Sequence, residues 1–151
     1  MAVQFQLVIN CVGHPESLAR FWAEALGYEL ERPPSGFATW DDWRVSMGLP
    51  SSWLRRGTDC IVDPEGKSPR IWFQVVPDPK TTSNRLHIDI HASGRNDTPL
   101  HVRKQRVDAE ARRLCALGAT LVRDLEEHLE PGRNFYAVGL RDPEGNEFDI
   151  N

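Results

Sequence analysis

The feature that most constrains this chain is that it repeats itself. Ala25-Leu26-Gly27-Tyr28-Glu29-Leu30 recurs as Ala116-Leu117-Gly118-Ala119-Thr120-Leu121, and Asp63-Pro64-Glu65-Gly66 recurs as Asp142-Pro143-Glu144-Gly145. Either match alone has a local explanation, because Ala-Leu-Gly ends many helices and Asp-Pro-x-Gly makes many turns. Both matches in the same order argue for two copies of one supersecondary unit.

Each half reads as strand, helix and three strands. In the first, Leu7, Val8 and Ile9 form a short apolar strand. Pro15 opens a helix where its missing N–H costs nothing. Leu18, Phe21, Trp22, Ala25 and Leu26 follow helical spacing, and Gly27 suits the left-handed stop. Strands follow at Tyr28 to Leu30, Asp59 to Val62 and Ile71 to Val76. In the second half, Leu86-His87-Ile88-Asp89-Ile90 alternates as a half-buried strand does. A helix runs from about Val102 to Leu117, with Val107, Ala111, Leu114 and Cys115 as its apolar stripe and its arginines toward water. Thr120 to Val122, Phe135 to Leu140 and Glu147 to Ile150 complete the set. Residues 33–58 are an expansion carrying Trp40, Trp43 and Trp53, residues 92–101 a polar loop, and residues 77–84 a linker. The expected architecture is α+β: two tandem βαβββ modules, 1–79 and 80–151, forming an open curved half-barrel with helices outside, in one domain.

Strand side chains alternate between faces. If Leu86, Ile88 and Ile90 pack under the helix, His87, Asp89 and His91 face the concavity. By the same parity Leu7, Ile9 and Cys11 pack outward, and Gln6, Val8 and Asn10 face inward. Aligning Phe73 with Phe148 matches Gln74 to Asp149 and Trp72 to Glu147. Gln6, Gln74, His87 and Asp149 then occupy repeat-related positions, where an imidazole, a carboxylate and two amides could hold a divalent cation (Zn, Ni, Mn or Fe). The alternative, on equal footing, is no metal, with His87 and Asp149 a hydrogen-bonded pair lining a binding cavity. Asp89 and His91 share the His87 face, where an i, i+2 pair can chelate, and read as solvent-facing groups or as hydrogen-bonding supports for the ligands, with Asp89 also a substrate-binding candidate; Trp72 suits a cavity wall, and Trp40 belongs to an aromatic lid or a small core. His14 reads as an N-cap, His101 and His128 as exposed, and Asp124, Glu126, Glu127 and Glu130 as a solvated face.

Composition narrows the partners. Of 151 residues, 40% are hydrophobic and 26% charged, which suits a packed domain. The net charge of −4 and the lack of a basic cluster argue against nucleic acid. No apolar run suits a membrane span, and Met1-Ala2-Val3-Gln4-Phe5-Gln6 has no secretory pattern. Cys11, Cys60 and Cys115 form no CxxC pair. The expectation is a cytoplasmic protein with reduced thiols and a small-molecule ligand.

The chain resembles the vicinal oxygen chelate superfamily of glyoxalase I, bleomycin-resistance proteins, fosfomycin-resistance enzymes and extradiol dioxygenases, and most closely its glyoxalase-like subgroup. The resemblance covers nearly the whole chain. It rests on Pro15-Glu16-Ser17-Leu18-Ala19-Arg20-Phe21-Trp22 with Ala25-Leu26-Gly27-Tyr28, on Gly36-Phe37-Ala38-Thr39-Trp40, and on Ile71-Trp72-Phe73-Gln74-Val75-Val76-Pro77. Asn84-Arg85-Leu86-His87-Ile88-Asp89 and Asp142-Pro143-Glu144-Gly145-Asn146-Glu147-Phe148 complete it. It implies metal ligands at Gln6, Gln74, His87 and Asp149, and often a homodimer. The family pattern has Glu where this chain has Gln74 and Asp149, which speaks against glyoxalase I activity itself. Two functions follow. One is a lyase, isomerase or dioxygenase-like enzyme with an inward Glu147 as base. The other is a metal-free protein that sequesters an aromatic molecule against Trp72 and the tryptophan-bearing expansion.

Overall fold

The computed structural model describes residues 3–94, 97–124 and 135–151. The chain divides into two compact units, residues 1–79 and 80–151. Among the described residues are three α-helices and eight strands in two sheets.

The first unit runs β1 (Leu7–Cys11), α1 (Pro15–Leu26), β2 (Glu29–Leu30), α2 (Trp40–Ser46), β3 (Cys60–Val62) and β4 (Ile71–Val75). Its sheet has the order β1-β4-β3-β2, with β1 and β4 parallel. The second unit runs β5 (Asp89–Ile90), α3 (Leu100–Ala116), β6 (Thr120–Asp124), β7 (Val138–Arg141) and β8 (Glu147–Ile150). Its order, β5-β8-β7-β6, repeats the first, again with one parallel pair, β5 and β8. A parallel pair needs a crossover, and in each unit the long helix supplies it. Neither sheet closes on itself. The fold is α+β, as the repeat predicts.

Helix α1 shows why these residues form this element. Pro15 stands in its first turn, Glu16 faces the positive end of the helix dipole, and Gly27 ends it at φ +68°. Leu18, Phe21, Trp22 and Ala25 are buried on the face that packs on β3 and β4. Phe21 and Trp22 meet edge to face at 5.5 Å. Trp22 is 1% exposed, so truncation to alanine would cost about 3–5 kcal/mol.

The duplicated turns are built alike. In one, the Asp63 carboxylate accepts the N–H groups of Glu65, Lys67 and Ser68, and Gly66 closes the turn onto Asp63 O at 2.9 Å. In the other, Asp142 accepts from the Glu144 and Asn146 N–H groups, and Gly145 closes at the same distance, 2.9 Å.

The structure departs from the sequence reading at several points. The strand expected from Leu86 to Ile90 shrinks to Asp89–Ile90, and Leu86 is 85% exposed rather than under the helix. Upstream, the Asn84 N–H is taken by the Glu147 carboxylate at 2.9 Å rather than by a ladder carbonyl. Helix α3 begins at Leu100, and its buried stripe is Arg103, Val107, Ala111 and Leu114. Cys115, one residue round from Leu114, is exposed, while Arg103 turns inward and donates to Thr98 O at 3.0 Å. His128, Glu126, Glu127 and Glu130 lie outside the described residues, as does the Asp124 side chain.

The ladders also revise the alignment of the halves. Ile61, two residues before Asp63, pairs with Ile71, and Leu140, two residues before Asp142, pairs with Phe148. Phe148 therefore corresponds to Ile71, not Phe73. Asp149 corresponds to Trp72, and Glu147 to Arg70. The parallel pairs agree, since Val8 faces Trp72 as Asp89 faces Asp149. Gln6 remains the counterpart of His87, whereas Gln74 corresponds to Asn151 rather than to Asp149. The phenylalanines mislead because Ile71, Phe73, Phe148 and Ile150 all point into their cores, so parity is blind to a shift of two. Among the described residues, no helix is long and apolar enough to cross a membrane.

Candidate functional site

In the second unit, β5 and β8 bring His87, Asp89 and Asp149 together. His87 Nε2 lies 3.1 Å from Asp89 Oδ1 and 3.5 Å from Asp149 Oδ2. One potential ligand atom from each residue lies within 4.8 Å of the other two. Two strand facts produce this. Asp89 and Asp149 are ladder partners, and His87 is two residues before Asp89 on the same face. Asp89 also accepts from Asn151 Nδ2 at 3.4 Å, and Asn151 Oδ1 lies 2.6 Å from His91 Nδ1. Asp149 sits over Gly139, its ladder partner, where a Cβ would approach Oδ1 to 3.3 Å.

The donor set fits a divalent ion. One imidazole and two carboxylates are typical ligands for Zn, Mn and Fe, and two donors bound tetrahedrally at about 2.1 Å lie about 3.4 Å apart. The separations from His87 bracket that value. Beside the cluster is a cavity of about 320 Å³ lined by Ser83, Asn84, Val122, Leu140 and Arg141, among others.

Glu147 shares this cavity but is already engaged. Its carboxylate lies 2.7 Å from Lys80 Nζ and 3.7 Å from Arg141 Nε, and accepts the Asn84 N–H. The Lys80 interaction, against an opposing desolvation, holds its pKa down at about 2. Such a carboxylate is a poor proton acceptor near neutrality. Its observed work is to tie Lys80 and Asn84, and so the approach to β5, onto β8.

The first unit places its candidates differently. Gln6 Oε1 accepts from Arg70 Nη1 at 2.8 Å, and Arg70 also pairs with Glu31. Gln74 is exposed and faces Asn10, four ladder steps or about 13 Å from Gln6. The two amides are thus not adjacent ligands. Trp72 and Trp40 join Gln6, Trp43, Leu49 and Trp53 around a cavity of about 330 Å³. Trp72 Nε1 points at Asp59 Oδ2, 3.4 Å away, and Trp40 Nε1 donates to Glu31 O at 3.0 Å. His14 is the α1 N-cap residue, yet its side chain caps nothing. Its Nε2 lies 2.8 Å from Arg55 O. Cys11 is buried as a packing residue, and His101 is exposed.

The part of the cluster that sequence reading underrated is Asp89. The signal was present: in His87-x-Asp89 both side chains share a strand face, and an i, i+2 pair can chelate.

No curated protein matches the sequence. The fold has clear relatives among solved structures. A glyoxalase/bleomycin resistance protein/dioxygenase family enzyme from Burkholderia phytofirmans PsJN is 17% identical, with a TM-score of 0.56 over 97% of this chain and 94% of that one. The fosfomycin resistance protein FosX of Listeria monocytogenes, complexed with Mn(II) and 1S,2S-dihydroxypropylphosphonic acid, is 11% identical, with a TM-score of 0.58 over 100% and 90%. A hypothetical protein, SA1046, from S. aureus is 15% identical, with a TM-score of 0.55 over 99% and 96%. At these identities the likeness is one of fold. Residues 6–151 match the glyoxalase-like domain, so the two-unit architecture and the sequence match agree, and the chain belongs to the glyoxalase-like domain family.

Proposed function

We propose that the second unit binds a small oxygen-bearing molecule at a divalent cation held by His87, Asp89 and Asp149, in lyase, isomerase or dioxygenase-like chemistry. The carrying observation is the approach of His87 Nε2 to both carboxylates, at 3.1 and 3.5 Å. The related fold of FosX, which was solved with Mn(II) and a vicinal diol, supports the choice of ligand chemistry. When bound, the ion would polarise a substrate oxygen and stabilise negative charge developing there. Gly139 leaves room for the Asp149 carboxylate, Asn151 orients Asp89, and Glu147, paired with Lys80, positions Asn84 at the cavity wall. Glu147 serves in this reading as a positioning residue rather than the base. Gln6 and Gln74 are not ligands in it, because Arg70 occupies one and the register separates the other.

The test is titration of purified protein with Mn(II), Ni(II), Zn(II) and Fe(II) by calorimetry, beside His87→Ala and Asp89→Asn. Saturable binding that weakens 10–100-fold or more in both variants is expected. Equal binding by wild type and variants, or none, leaves the metal-free polar pair as the reading. A cytoplasmic homodimer is part of the proposal. The exposed free thiol of Cys115 suits a reducing compartment, and the open edges of both sheets offer a reason to pair. Sedimentation at micromolar concentration tests the dimer.

A further inference from the structure

Arg141 is the one permanently charged cation among the described residues that line the cavity of about 320 Å³ beside His87 and Asp149. It ends β7, one residue before the Asp142 turn. The matching turn of the first unit has Val62 at that place, before Asp63, so the turn itself does not demand an arginine. The side chain is 50% exposed, and among the described residues its one ion-pair partner is Glu147, with Nε 3.7 Å from the carboxylate and beyond hydrogen-bond reach.

The ladder aims this guanidinium at the cation cluster. Arg141 pairs with Glu147 as Gly139 pairs with Asp149. Side chains two apart on a strand share a face, so Arg141 stands on the face of Asp149, one repeat or about 7 Å along β7. Gly139, opposite Asp149, puts no side chain into the space between them.

We propose, on the strength of the cation reading at His87, Asp89 and Asp149, that Arg141 binds a substrate carboxylate, and that the molecule taken there is a short monocarboxylic acid carrying a further oxygen. Charge selects the class. Lys80 Nζ, 2.7 Å from Glu147, already matches that carboxylate, which leaves Arg141 as one positive charge in excess. Glu144 lines a neighbouring hollow of about 300 Å³ and not this cavity. A single negative charge is therefore matched, whereas a dianion would carry a second one toward Asp149 and Glu147. The planar guanidinium fork meets both oxygens of a carboxylate in parallel. The span of about 7 Å leaves room for only a few carbons between that carboxylate and the oxygen at the cluster.

The test follows the backbone N–H resonances of Gly139 and Arg141 in ¹⁵N-labelled protein, with and without Zn(II), at about pH 8. The probes are 3-hydroxybutyrate and 3-hydroxybutanamide, which share a shape and differ in charge. Wild type should bind the carboxylate at least about tenfold more tightly than the amide. Arg141→Gln should erase that preference while the amide binds as before. Glu147→Gln, which releases the guanidinium from its carboxylate neighbour, should tighten the carboxylate about threefold. Opposite responses of the two variants are what a merely structural pair would not give. A preference that survives Arg141→Gln, or that also falls in Glu147→Gln, overturns the proposal. Tighter binding of the dianion 2-hydroxypropylphosphonate by zinc-free wild type overturns it too. If no Zn(II) binds, the cation reading fails alone, and a zinc-free preference for the carboxylate that Arg141→Gln removes upholds the role of Arg141. Zn(II) binding with no preference for the carboxylate does the reverse.

Discussion

Two sheets of one order carry different chemistry at the same three ladder positions. Where the second unit has His87, Glu147 and Asp149, the first has Gln6, Arg70 and Trp72. The middle residue is charged in both and locked in both, Arg70 by Glu31 and Gln6, Glu147 by Lys80 and Asn84. The outer pair differs in kind. One unit gathers oxygen and nitrogen donors, the other an indole wall. Duplication has kept the backbone register, which many hydrogen bonds enforce together, and released the exposed face, where each residue answers only to its neighbours.

The largest expected break in this comparison is at the glycines. Gly57 has φ +63°, and a Cβ there would fall 1.5 Å from Glu16 Oε2. Gly145, in the second unit's turn, has φ +85° with open space beside it. Gly57→Ala should cost about 2–4 kcal/mol and Gly145→Ala about 1, read from urea midpoints. If both cost the same, strain at φ outweighs the Glu16 contact.

Next is the donor contrast. His87→Ala should reduce cation affinity at least 10–100-fold, while Gln6→Ala should leave it within about twofold. Loss in both variants would restore Gln6 as a ligand. Gly139→Ala should follow at roughly tenfold, because its Cβ would press on Asp149 Oδ1 from 3.3 Å. In the first unit that ladder position holds Cys60, opposite Trp72, where a side chain is already accommodated.

The smallest effect is the pH response of the locked carboxylate. The Glu147 pKa is lowered from 4.5 to about 2, so its stabilising pairings are complete above pH 4.5. They are lost as pH falls through the folded pKa near 2. The group is partly exposed, so the contribution should be about 1 kcal/mol. Glu147→Gln should remove that acid-side loss of stability, measured by urea unfolding between pH 2 and 6.

Much of this was legible in residue order. Pro15 and Gly27 bound α1, and the two Asp-Pro-Glu-Gly turns mark the β3–β4 and β7–β8 connections. Parity correctly put Val8 and Asn10 on a more exposed face than Leu7, Ile9 and Cys11. What stayed hidden depends on contacts between distant residues. The Glu147–Asn84 bond ahead of the shortened β5 spans most of the second unit. A two-residue slip between Phe73 and Ile71 changes no side chain's face, so only the hydrogen-bonded register exposes it. Arg103 offers a third case, its charge suggesting solvent while its place in the i, i+4 stripe with Val107 and Ala111 buries it.

The buried Arg44 has a consequence for how such a protein could be re-engineered or could diverge. Its bonds to Asp41, Asp59 and Gly57 O hold the expansion's shape. Trp43, Leu49 and Trp53 only line the space that shape encloses. Arg44 and Asp59 also border that space, so frame and lining overlap at those two positions and part company at Trp43, Leu49 and Trp53. Selectivity can drift by exchanging the lining one residue at a time, with the frame intact. A loop grafted from elsewhere would have to bring both the arginine and hosts for it at positions 41 and 59.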